Sequence, residues 1–175
     1  MSKSAKTSFS PLRSFFWPIH SHEKARMIPM LLMAFLITFN YNILRTAKDT
    51  LVVTAEGSGA ETIPFIKVWV LFPTAILLAF IFTRLASRLP RERVFYIMIS
   101  GFLGFFAFFI LVLYPARAYL HPHATADFFQ SILPAGCKGL VAVFRNWTFT
   151  AYYVMAELWG NIILSVLFWG FVNEI

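Results

Sequence analysis

Apolar residues gather in four long runs along this chain, separated by short polar and basic stretches. The first run, Met27 to Leu44, holds about 18 uncharged and mostly apolar residues, close to the length that crosses a bilayer. Thr38, Tyr41, Arg45 and Lys48 recur there every three or four residues. At about 100° per residue these positions share one narrow helix face. The pattern therefore predicts a helix that is greasy over most of its surface and carries a polar stripe ending in two cations. An ionisable group within a spanning segment costs about 2.5–3.5 kcal/mol on insertion scales and turns toward a cavity or a partner. The stripe is expected to face a water-filled path and to meet an anion there.

A polar loop with Glu56, Gly57, Ser58, Gly59 and Glu61 follows, and a second run opens near Ile63 with Lys67 one turn in and Pro73 beyond it. Proline is tolerated in a spanning helix when neighbours satisfy the freed carbonyl. Arg84, Arg88, Arg91 and Arg93 crowd the next turn, around Pro90. The third run is rich in Phe, and Gly101 and Gly104 offer places for close helix approach. Residues 117–138 read as a loop with a short surface helix, in which His121 and His123 have no expected role. In the last run Asn146, Thr150, Tyr153, Glu157 and Asn161 share one face, a second polar stripe centred on an acid. The expected fold is an all-α membrane protein of four transmembrane helices, at about 27–48, 63–83, 94–116 and 139–173, after a basic segment at 1–26. Phe15 to His20, FFWPIH, reads as an interfacial segment before the first span.

Composition sharpens this reading. Hydrophobic residues make up 59% and charged residues 13%, more apolar surface than a soluble fold of 175 residues can hide. The net charge of +7 would point to nucleic acid in a soluble protein. Here nine of the 15 Lys and Arg (Lys3, Lys6, Arg13, Lys24, Arg26, Arg84, Arg88, Arg91 and Arg93) fall in the N-terminal tail and the 84–93 turn. The positive-inside rule explains them and places the N-terminus and residue 175 in the cytoplasm. No nucleic-acid partner is expected. Cys137 stands alone, which excludes an internal disulfide. No G-x-x-x-x-G-K-[ST] marks an ATPase motor, and no nucleophile–base pair or metal set marks an enzyme. No cofactor is expected. Two polar stripes need further helices to enclose a path, so the chain is expected to be a fragment of a longer transporter.

Four charges cannot be placed in loops: Arg45 and Lys48 in the first span, Lys67 in the second and Glu157 in the fourth. A purely structural account pairs Lys48 with Glu157 and lets the other cations snorkel to the interface. The excess of positive charge argues instead for an anion site, and Arg and Lys suit phosphate by charge and hydrogen bonding. Tyr41 and Asn161 join the candidate site from helix geometry.

Several runs carry a resemblance. Phe39-Asn40-Tyr41-Asn42-Ile43-Leu44-Arg45, Lys48-Asp49 and Val53-Thr54 resemble the first span of the nucleotide transporter family, the ATP/ADP translocases of intracellular bacteria and plastids. Trp17-Pro18-Ile19, Ile63-Pro64-Phe65-Ile66-Lys67 and Ala156-Glu157-Leu158-Trp159-Gly160 extend the likeness over essentially the whole chain, in a pattern nearest the chlamydia-type members. The resemblance implies the N-terminal third of a twelve-helix, major-facilitator-like antiporter that exchanges ATP for ADP without hydrolysis. It implies ATP and ADP as substrates, the lipid bilayer and the remaining helices as partners, and the inner membrane of a bacterium rather than a plastid envelope. It also carries essential roles onto Lys48 and Glu157. A proton-coupled nucleotide importer of the same family is the alternative, and a small four-span scaffold protein is the alternative of another class.

Overall fold

The computed structural model describes residues 21–162, and every regular element in that range is helical. The interfacial reading of Phe15 to His20 and the end of the expected fourth span, residues 163–173, lie outside the described residues. The chain divides into two compact units, 1–37 and 38–175. Helix α1, Ser21–Val53, begins in the first unit, where Ile28, Leu31, Leu32 and Leu36 are exposed. In the second unit its Leu44, Ala47 and Leu51, at helical spacing, pack on a buried cluster of Phe109, Leu113, Phe149, Tyr152 and Ala156. The helix continues past Lys48, where the span was expected to end, and the chain turns back at Gly57 with a φ of 66°.

Helix α2, Thr62–Ala86, and helix α3, which runs from Arg91–Phe108 into Phe109–Leu113, each contain one wide π-helical stretch. In α2 that stretch is Ile66–Leu71, two residues before Pro73; in α3 it is Phe109–Leu113, two residues before Pro115. Proline donates no backbone hydrogen bond, and its ring crowds the carbonyl four residues back. A wider turn ahead of it moves that carbonyl aside and keeps the helix continuous. The Tyr114 N–H donates to the Phe109 carbonyl at 2.8 Å, five residues back, and the Thr74 hydroxyl donates to the Val70 carbonyl at 2.6 Å.

Helices α4, Arg117–Leu120, and α5, His123–Ile132, fill the segment that the sequence suggested was mostly loop. A 3₁₀ turn, Ala135–Cys137, leads to α6, Lys138–Arg145, and α7, Trp147–Ile162. One helix was expected from residue 139 onward, but the described part is broken at Asn146, whose backbone leaves the helical region (φ −110°, ψ 43°). The cause is local. The Asn146 side chain donates to the Glu56 carbonyl at 2.9 Å, and such side-chain to backbone bonds compete with helix continuation.

Helix α7 is the inner element of this architecture. Tyr153, Val154, Ala156, Leu158 and Trp159 are buried along it, and Phe102, Phe106 and Phe109 of α3 set their rings against Trp159 and Tyr152 at 4.5–6.2 Å between centroids. The outward faces of α2 and α3 are apolar and exposed, as at Trp69, Phe72, Phe80 and Leu111. The described residues are thus all-helical where regular, and among them three helices are long and apolar enough to cross a membrane: Met27–Val53, Thr62–Ala86 and Glu92–Leu113.

Gly139 lies buried where α6 meets the start of α2, and a methyl group there would strike the Phe65 ring. Gly139→Ala is expected to destabilise the protein by about 1–3 kcal/mol, the usual cost of overpacking. Thermal unfolding of the purified protein in detergent checks this; an unchanged midpoint would show that Phe65 swings aside freely.

Candidate functional site

Helices α1 and α7 run antiparallel where they meet, because Tyr41 packs on Gly160 while Lys48, further along α1, meets Glu157, earlier on α7. Lys48 is 4% exposed and Tyr153 beside it 1%. A buried ammonium is costly unless it is paired, and Lys48 is paired twice. Its Nζ lies 3.0 Å from Glu157 Oε2 and 2.8 Å from Asp49 Oδ1. The Tyr153 ring covers it, with Nζ 4.0 Å from the centroid, so the negative ring face adds a third attraction. The carboxylates are more open than the cation: the Glu157 side chain is 24% exposed and that of Asp49 45%. The cluster is therefore walled on the tyrosine side and accessible on its acidic side.

The six residues singled out from sequence fall into two groups. Lys48 and Glu157 are brought into contact, and Tyr41 stands about two helical turns along α1 from Lys48, its ring against Gly160. Arg45, Lys67 and Asn161 are exposed, and among the described residues no hydrogen bond or ion pair joins any of these side chains to the Lys48 cluster. Among the described residues one cation, Lys48, meets two carboxylates, while Arg45 and Lys67, expected in the same region, are exposed and stand apart from it. Long basic side chains on an exposed helix face keep their charged ends solvated. Asp49 was passed over as an end-of-span charge. Its place next to Lys48 was the signal that could have found it.

An open groove of about 820 Å³ is lined by Phe39, Asn42, Thr46 and Thr50 of α1 and by Phe109 and Tyr152. Lys48 does not line it. Among the described residues no group of three or more His, Cys, Asp or Glu could hold a metal ion.

A second polar cluster ties the loop after α1 to α5 and the α6–α7 break. Arg145, 5% exposed, donates to Asp127 at 2.5 Å and to Gln130 at 3.1 Å, and its guanidinium lies over Gly57. His123 Nδ1 stands 3.6 Å from Glu56 Oε2. His121, given no role from the sequence, is buried and shares a hydrogen bond of 2.6 Å with Thr148. Nothing in the spacing could have shown this, because the two residues are 27 positions apart.

The sequence matches the TLC ATP/ADP transporter family over residues 2–175. The chain belongs to that family. It is 53% identical to the ADP,ATP carrier protein 1 of Chlamydia trachomatis over 175 residues, which is all of this chain and 33% of the relative. It is 55% identical to the ADP,ATP carrier protein 1 of Chlamydia pneumoniae over the same length, 34% of that relative. The plastidic ATP/ADP-transporter of Solanum tuberosum is 51% identical over 150 residues, covering 86% of this chain and 24% of the relative. The chain thus spans about a third of the length of the chlamydial relatives. No solved structure matches it.

In this TLC-family chain the polar cluster also carries a pH dependence. Burial, and then the positive charges of His123 and Arg117, push the His121 pKa below the ordinary histidine value. Unfolded His121 binds a proton more readily than folded His121, so stability rises with pH through the ordinary histidine range and falls as the solution is acidified. The melting temperature is expected to be lower at pH 5 than at pH 7.5, with a smaller difference in His121→Gln. Equal slopes in the two proteins would remove His121 as the source.

Proposed function

We propose that this chain carries part of the nucleotide site of a membrane transporter that exchanges ATP for ADP without hydrolysis. The observation that carries the reading is the Lys48 ammonium, buried between α1 and α7 in a family of ATP/ADP transporters. A buried cation with an accessible acidic side can exchange its internal partners for a phosphate, which offers more charge and more acceptor oxygens. Lys48 would hold the polyphosphate. Glu157 would keep Lys48 in place between α1 and α7. Tyr41, Arg45, Lys67 and Asn161 would line the path to the site as further helices close around it. ATP and ADP have the α- and β-phosphates in common, so one cationic site serves both, and concentration gradients set the direction of exchange.

The wider frame of the proposal is a bundle of about twelve helices of the major-facilitator kind, in which α6 and α7 begin a fourth span and two half-bundles rock around a midplane site. The basic residues in the tail and the 84–93 turn support an inward N-terminus. A bacterial inner membrane fits the proposal beside a plastid envelope, since chlamydial and plastidic relatives match at similar identity.

The test is nucleotide exchange in proteoliposomes carrying the protein expressed from the complete gene. Labelled ATP is expected to enter vesicles loaded with ADP and not empty ones. Uptake that follows a pH gradient regardless of internal nucleotide would replace exchange with proton symport. Lys48→Gln is expected to cut uptake by about 10–100-fold, the worth of a lost charge-assisted contact, with insertion unchanged. Undiminished uptake would remove Lys48 from the site.

A further inference from the structure

The cation assigned to the polyphosphate is already occupied, and its two occupants are not equivalent. Glu157 reaches Lys48 from another helix, so its 3.0 Å contact ties α7 to α1. Asp49 is the next residue on α1, its side chain is 45% exposed, and its 2.8 Å contact joins nothing to anything else. Neighbours in sequence do not face each other on a helix, so this contact exists because the long lysine stem curls back to the carboxylate. A phosphate oxygen can take the place of Asp49 without moving a helix. It cannot take the place of Glu157 without loosening α1 from α7.

We infer that Asp49 is the exchangeable counter-ion of Lys48 and a specificity-determining residue of the nucleotide site. It rests on the ion-pair geometry together with the proposed function. The carboxylate competes with the incoming phosphate for one ammonium. It also sets the charge that the site tolerates, because two carboxylates around one cation leave the cluster with more negative charge than positive. That surplus repels ATP more than ADP, since ATP carries the additional negative charge. Asp49 therefore holds the affinities for the two nucleotides close together and keeps ATP from being trapped. The site gains turnover by giving up tightness, because binding that is too strong slows release.

The experiment compares Asp49→Asn and Asp49→Glu with the wild type, all expressed from the complete gene, and measures KM and kcat for ATP and for ADP. Asp49→Asn is expected to lower the KM for ATP by about three- to tenfold, to lower that for ADP less, and to reduce kcat. Asp49→Glu keeps the charge and is expected to retain the wild-type ratio of the two KM values. If Asp49→Asn carries no nucleotide, equilibrium binding of ATP to the purified variant decides. Tighter binding than wild type supports the inference, and equal or weaker binding overturns it. A wild type that exchanges ATP for ADP beside an Asp49→Asn variant with an unchanged or raised KM overturns the inference and leaves the proposed function standing. A wild type that neither binds nor carries nucleotide overturns both.

Discussion

The structure depends on how one ammonium group is kept in an apolar bundle. Lys48 lies beneath the surface of a helix long and apolar enough to cross a membrane, where an unpaired charge would cost several kcal/mol. Three groups compensate it: a carboxylate from its own helix, a carboxylate from α7 and the face of a tyrosine ring. The Glu157 contact reaches across from α7, so the positions of α1 and α7 are constrained by electrostatics as well as by packing. The leucine and alanine stripe of α1 supplies the packing, and the lysine on the neighbouring face gives the pair its register.

Around that pair the fold spends its regularity unevenly. Helices α2 and α3, both with exposed apolar faces, each interrupt their hydrogen-bond ladder with a wide turn just before a proline. Helix α7, the most buried, has no proline and no wide turn in its described length, and aromatic rings from α3 lock it in place. The Lys48–Glu157 pair thus sits on regular helix, and the wide turns lie in α2 and α3. The polar tie through Arg145, Asn146 and His121 closes one end of the assembly, joining the loop after α1 to the break before α7.

Much of this was legible in the residues, and the reasons differ from place to place. The spanning helices announced themselves by length and hydropathy, because lipid imposes a requirement that can be read locally. Lys48 and Glu157 stood out because ionisable groups in apolar runs are few. The π-helical turns were half visible: Pro73 and Pro115 could be seen, but the way the backbone accommodates a proline depends on its neighbours. The break at Asn146 was hidden, because the bond that causes it goes to the carbonyl of Glu56, 90 residues away. Helical spacing put Arg45 on the stripe of Lys48 and the second run placed Lys67 within a span, but which side chains reach the Lys48 cluster depends on contacts between helices, and both are exposed in this chain.

Gly160 bears on the charge pair from a distance. It has no side chain, and the Tyr41 ring occupies the space where one would be. That contact and the lysine–glutamate pair are two rivets through the same two antiparallel rods, so the length of one governs the reach of the other. A single absent methyl group at this crossing lets the rods lie near enough for oppositely charged atoms to touch. The electrostatics of the bundle are set, in this sense, by a hydrogen atom several ångströms from any charge.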